Sequence, residues 1–261
     1  MRLTVFILLL TVFRSEAFSQ LDKHFEMGIG FPVTKVKDQG QSPLLYKSRS
    51  PSIKIGFVLN SAKWCHKVDF CFQYGKIVNR YSPDFYKKQP FMVLFRLNYS
   101  VARTCLRYAS GVNLSTGTFI DLTGNLRMIP KLENSMASYE MFPNIGLLGC
   151  IKKDIRNDSR NLLLSYNLQM PVLSYLMRPN YVTMMNYVDP KANYLKTILS
   201  NGSIVTANKL FRINSILDLA FCLENNNRIK LSYLWDYYLC NTANISAMNQ
   251  YGFTFSTMSN F

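Results

Sequence analysis

From Phe25 onward, apolar and polar residues alternate in repeated runs. Phe25, Met27, Ile29, Phe31 and Val33 share one face, as do Ile53, Ile55, Phe57 and Leu59. Val68, Phe70, Phe72 and Tyr74 form the next run. Phe91, Val93, Phe95, Leu97, Tyr99 and Val101 follow, with Arg96, Asn98 and Ser100 opposite. Further on, Leu162, Leu164, Tyr166, Leu168 and Met170 stand against Ser165, Asn167 and Gln169. A weaker run surrounds Ile145, Leu147 and Ile151, and the 103–122 stretch holds another strand whose register the pattern leaves open. Period two predicts β-strands with one apolar and one polar face.

The clearest hairpin comes late. Phe211, Ile213, Leu217, Leu219, Phe221 and Leu223 line one face of its first arm, with Arg212, Asn214 and Asp218 opposite. The polar stretch 224–228 predicts a tight turn. In the second arm Ile229, Leu231, Tyr233, Trp235, Tyr237 and Leu239 oppose Lys230, Ser232 and Asp236. Each arm is longer than the roughly 5–6 residues usual in soluble sheets. Such arms match the roughly 9–11 residues of a tilted strand that crosses a bilayer.

Composition narrows the class. Hydrophobic residues make up 48% of the 261, yet beyond the N-terminus no run is long and apolar enough for a transmembrane helix. In lipid, only a closed barrel lets strands satisfy every backbone group. The expected fold is therefore all-β: an antiparallel up-and-down transmembrane β-barrel of about ten strands, twelve if 174–208 conceals a hairpin. Leu3 to Phe13 is an apolar run behind Arg2, and Ala17-Phe18-Ser19 supplies small residues for cleavage. A signal peptide over 1–19 and a barrel over 20–261 are expected. Tyr251, Phe253 and Phe255 share a parity with the final Phe261. This strand resembles the C-terminal assembly signal of bacterial outer-membrane barrels.

Such barrels keep both termini in the periplasm, with short periplasmic turns and longer extracellular loops. That rule predicts loops over 34–51, 80–89 and 174–208 on the outside, and the links 61–66 and 224–228 inside. The polar parity then lists the lumen. Its cationic candidates are Lys54, Lys67, Arg96, Arg212, Arg228 and Lys230; its anionic ones are Glu26, Asp69, Asp218, Glu224 and Asp236. So even a balance favours an internal salt-bridge network over a selective channel. Lys35, Lys37, Lys47 and Arg49, with Arg80, Lys87 and Lys88, place much of the +15 formal charge in outer loops. There they would face the anionic sugars and phosphates of the outer leaflet.

Outer-membrane acyl hydrolases and omptin-like proteases work with a His near the outer leaflet or rim. Here His24 and His66 both fall on the periplasmic side, and no His-x-Ser-Asn-Gly run occurs. No catalytic, cofactor or metal residues are singled out: no CxxC is present, and two His cannot build the usual metal sets. The six Cys leave disulfides and free apolar thiols both open. Within the late hairpin, Cys222 and Cys240 are too far apart to bond. The charges are scattered, and export removes the chain from cellular nucleic acid.

Taken whole, the chain resembles outer-membrane β-barrel proteins of the Bacteroidota type. The likeness rests on Ala17-Phe18-Ser19-Gln20, on the penultimate strand from Arg228 to Tyr238, and on Phe261. It implies location in the outer membrane and contact with its lipid, with lipopolysaccharide and with the barrel-assembly machinery. The expected role is non-enzymatic: a structural or binding barrel, or a narrow pore for an unidentified ligand. The alternatives are a barrel hydrolase acting on lipid and a soluble, secreted, disulfide-bonded β-protein.

Overall fold

A computed structural model describes residues 22–79, 89–108, 111–157, 160–178, 202–242 and 244–260. The proposed signal segment, most of the 80–89 stretch and Phe261 lie outside the described residues. Among the described residues, thirteen strands form one antiparallel sheet that closes on itself. They are β1 (Asp22–Gly30), β2 (Val33–Asp38), β3 (Ser42–Arg49), β4 (Ser52–Asn60), β5 (Trp64–Asn79), β6 (Phe91–Arg107) and β7 (Val112–Met128), then β8 (Ala137–Asn157), β9 (Arg160–Leu176), β10 (Ser203–Thr206), β11 (Leu210–Cys222), β12 (Arg228–Cys240) and β13 (Ser246–Asn260).

These thirteen make a ten-strand wall, because three wall strands are interrupted. β1 and β2 are halves of one strand broken at Phe31-Pro32, and β3 and β4 are halves of the next, broken at Ser50-Pro51. Proline brings no N–H to a ladder, so it falls where the pairing stops. β10 and β11 are likewise collinear, parted by a turn at 207–209. The barrel closes where β1 meets β13, with Phe25 opposite Ser259 and Ile29 opposite Phe255.

The alternation decides which way each side chain faces. Leu147 is 62% exposed on the outer wall, whereas its neighbour Leu148 is 7% exposed in the lumen. Ile29, Phe57, Ile120, Leu219 and Phe253 are also exposed, and together they form the apolar belt that a bilayer covers. The late hairpin forms with the expected faces, pairing Asp218 with Ser232 and Asn214 with Asp236. Its turn is tight: Leu223 and Asn227 are joined by an N–H to C=O bond of 2.8 Å. Asn226 takes a left-handed φ of 62°, which Asn tolerates well.

Two expectations are corrected. The 34–51 segment is not an outer loop but the β2–β3 hairpin, which carries the wall outward; its alternating Thr34, Val36 and Asp38 point into the barrel. Glu224 sits exposed in the turn, not in the lumen. Most of the 174–208 stretch, where a further hairpin was considered, lies outside the described residues; its end at 203–206 pairs with β9 as part of the wall. At the turn end the connections are short (61–63, 108–111, 158–159 and 223–227), while 80–90 and 177–202 are long links at the other end.

Candidate functional site in the barrel lumen

Alternate residues of every wall strand project inward, and in this narrow barrel they meet. Lys54, Arg96, Arg212, Asp218, Lys230 and Asp236 are all buried there. Near the turn end, Glu26 accepts from Lys54 Nζ at 2.8 Å and from Ser256 Oγ at 3.0 Å, and lies 2.6 Å from Lys230 Nζ. Asp69 accepts from Asn98 at 2.9 Å and pairs with Lys67 at 3.5 Å. Ser165 reaches Asp218 at 3.5 Å.

Midway, Arg212 forms the centre of a second network. Its Nε and Nη2 bond both oxygens of Asp236, at 3.0 and 2.7 Å, and its Nη1 reaches Asp121 at 2.8 Å and Thr123 at 2.9 Å. A two-pronged guanidinium–carboxylate pair of this kind fixes orientation as well as charge. Arg96 joins Asp236 from the far side at 3.4 Å, and the Phe142 ring lies 5.5 Å from the Arg212 guanidinium.

Toward the loop end stands a third network. Asp38 binds Arg127 at 2.6 Å, Ser138 at 3.0 Å and also Arg178. Glu140 pairs with Arg178 at 3.2 Å and Arg127 at 3.5 Å, and accepts from the Tyr238 hydroxyl. Among these charges lies an apolar plug in which Ile77, Met92, Ile129, Phe142, Leu210 and Met248 are almost wholly buried. Leu132, from a 3-10 helix over Pro130–Ser135, packs onto the plug.

The space that remains is at the turn end. A cavity of about 100 Å³ is bordered by Lys67, Arg96, Lys152 and Lys230, with Glu26, Asp69 and Asp218. Lys152 Nζ is 3.9 Å from the Cys65 thiol, and Cys150 borders the same space. All six thiols are free; Cys222 and Cys240 stand at opposite ends of the β11–β12 hairpin. His24 Nε2 is 2.9 Å from Asp22, and His66 Nδ1 is 3.0 Å from the Tyr99 hydroxyl. Both histidines thus stand at the turn end, far along the barrel from Asp38 and Glu140. Among the described residues no cluster has the donor set for a metal ion.

Asp38, Asp121, Arg127, Glu140 and Arg178 do not figure among the lumen residues expected from sequence. A signal for some of them exists: Asp121, Thr123, Asn125 and Arg127 alternate with Ile120, Leu122, Leu126 and Met128 in β7.

Fold and lumen together define a transmembrane β-barrel of the outer-membrane type. The chain is similar to the outer-membrane protease OmpT from Escherichia coli, with a TM-score of 0.57 at 9% identity, over 95% of this chain and 99% of that one. A weaker likeness joins it to the P. putida toluene transporter TodX, with a TM-score of 0.36 at 10% identity over 92% and 90% of the two chains. No family model matches the sequence, and no curated protein matches it.

Proposed function

We propose that this chain is a non-enzymatic outer-membrane barrel with a structural or binding role, its lumen closed to passage. One observation carries the reading: ion pairs occupy the lumen at three levels, and an apolar plug lies toward the loop end. An apolar constriction excludes water and with it hydrated ions. The small polar cavity at the turn end is the space available to a ligand on the periplasmic side. A catalytic reading finds less support. The carboxylates at the outer rim are held by Arg127 and Arg178, and the chain has no His there to act as a base.

In this reading, residues 1–19 direct export and are removed. The barrel-assembly machinery recognises Tyr251, Phe253, Phe255 and Phe261, and the resemblance to Bacteroidota barrels describes its lineage. Lys35, Lys37, Lys47 and Arg49 point outward from the β2–β3 hairpin, with Lys35 directly opposite Lys47. Like charges so placed repel one another. The phosphates of lipopolysaccharide are the counter-charge that relieves them.

The purified barrel in planar bilayers is expected to give no stepwise conductance, and in lipid vesicles to release no fatty acid. Sustained ion conductance would overturn the closed lumen, and steady lipid hydrolysis would establish the barrel hydrolase instead.

A further inference from the structure

The wall is weakest between β9 and its β10–β11 neighbour. Their ladder runs up to Gln169 opposite Asn214 and resumes only at Leu173 opposite Thr206. Residues 170–172 of β9 therefore face the longer segment 207–213. On its other side β9 also slips register: Ile145 pairs with Leu173, but Gly146 pairs with Pro171, so Val172 is extra. An added residue of this kind bends a strand outward. Two side chains in succession, Val172 and Leu173, consequently face outward, 54% and 42% exposed. Pro171 has no N–H with which to mend the ladder.

At this place the outer surface is indented. A groove of about 670 Å³ is lined by Leu147, Gly149, Leu168, Met170, Pro171 and Val172. Its volume lies within the roughly 300–1,000 Å³ of small-molecule sites. Gly149 forms part of its floor: a Cβ added there would meet no atom within 4 Å. Leu148 borders both this groove and the cavity inside the barrel. The groove is continuous with the apolar belt, so hydrocarbon is what surrounds it. On its loop-end side lies the exposed turn 207–209: Ala207 and Asn208 line the groove, and the exposed Lys209, next in the chain, puts a positive charge on the same turn.

We infer that this groove seats one acyl chain of an anionic membrane lipid, with the lipid head group against Lys209. The inference rests on the membrane placement proposed above. A chain in the groove would cover the apolar edge that the interrupted ladder exposes. A flat stretch of wall offers only glancing contact.

The test is photo-cross-linking of the full barrel in phosphatidylglycerol bilayers doped with a phosphatidylglycerol carrying a diazirine on its acyl chain. Adducts are mapped by peptide mass spectrometry. Labelling at Leu147 and Met170–Val172 is expected to exceed, several-fold, that at Leu219 and Leu231 on the far wall. Gly149→Phe, or the smaller Gly149→Leu, should fill the groove and remove the excess while far-wall labelling persists. Lys209→Glu should lower the excess for phosphatidylglycerol but not for a phosphatidylcholine probe. Equal labelling of groove and far wall, or an excess that survives both Gly149 variants, overturns the site and leaves the membrane reading standing. Absence of labelling at every position overturns both.

Discussion

Arg212 shows what a single lumen residue has to do. It is buried, and its guanidinium bonds Asp236 twice and Asp121 once. Removing one partner of a buried pair leaves an uncompensated charge, at a cost of about 3–5 kcal/mol. Arg212→Met is therefore expected to destabilise the barrel by about that amount, and Arg212→Lys by less, since charge is kept while the two-pronged geometry is lost. Urea unfolding from lipid vesicles measures this; equal midpoints for Arg212→Met and wild type would show the network to be dispensable. Arg212 and Asp236 were legible in sequence because each lies in a clean alternating run. Asp38 was not: lysines surround it, and the Pro32 and Pro51 breaks disguise the hairpin as a loop. Arg178 was hidden differently, since it stands just past the end of β9, where no parity applies.

Among the elements, β12 offers the sharpest test of the wall. Tyr233 faces outward beside Phe253, ring centroids 5.1 Å apart, while Ser232 faces the lumen opposite Asp218. An Arg on the lipid face near the bilayer midplane costs about 2–4 kcal/mol. Tyr233→Arg is expected to cut folding yield into bilayers heavily. Ser232→Arg, which brings its charge toward Asp218, should be milder. Spin labels at Leu231 and Tyr233 should be relaxed by bilayer-dissolved oxygen, and labels at Lys230 and Ser232 should not. A uniform response at all four positions would sink the assigned faces. Strands like β12 were readable because one side must be apolar and the other polar all the way along. β7 and β8 were read poorly, because Gly124 and Gly149 interrupt the apolar face and a register shift follows Ile145.

At the scale of the whole molecule, wall-strand number and class followed from pattern, since only closure reconciles alternating strands with lipid. What the lumen holds was legible only in part, because the plug draws residues from strands far apart in the chain: Ile77, Phe142 and Met248 meet although their own runs give no sign of it. Deleting Phe261 is expected to leave export intact while lowering the outer-membrane fraction of heat-modifiable barrel; equal fractions from both chains would remove its role as a signal. A different consequence lies in the seam, where His24 stands opposite Asn260. The first strand waits for the last, so nearly the whole chain must be present before the ring can shut. Until then the protein is an open ribbon with two bare edges, each able to capture a strand from another molecule. Contacts so distant in sequence are also slow to form. Closure is thus a late event in the folding of this chain, and its most vulnerable moment comes just before the last strand reaches the first.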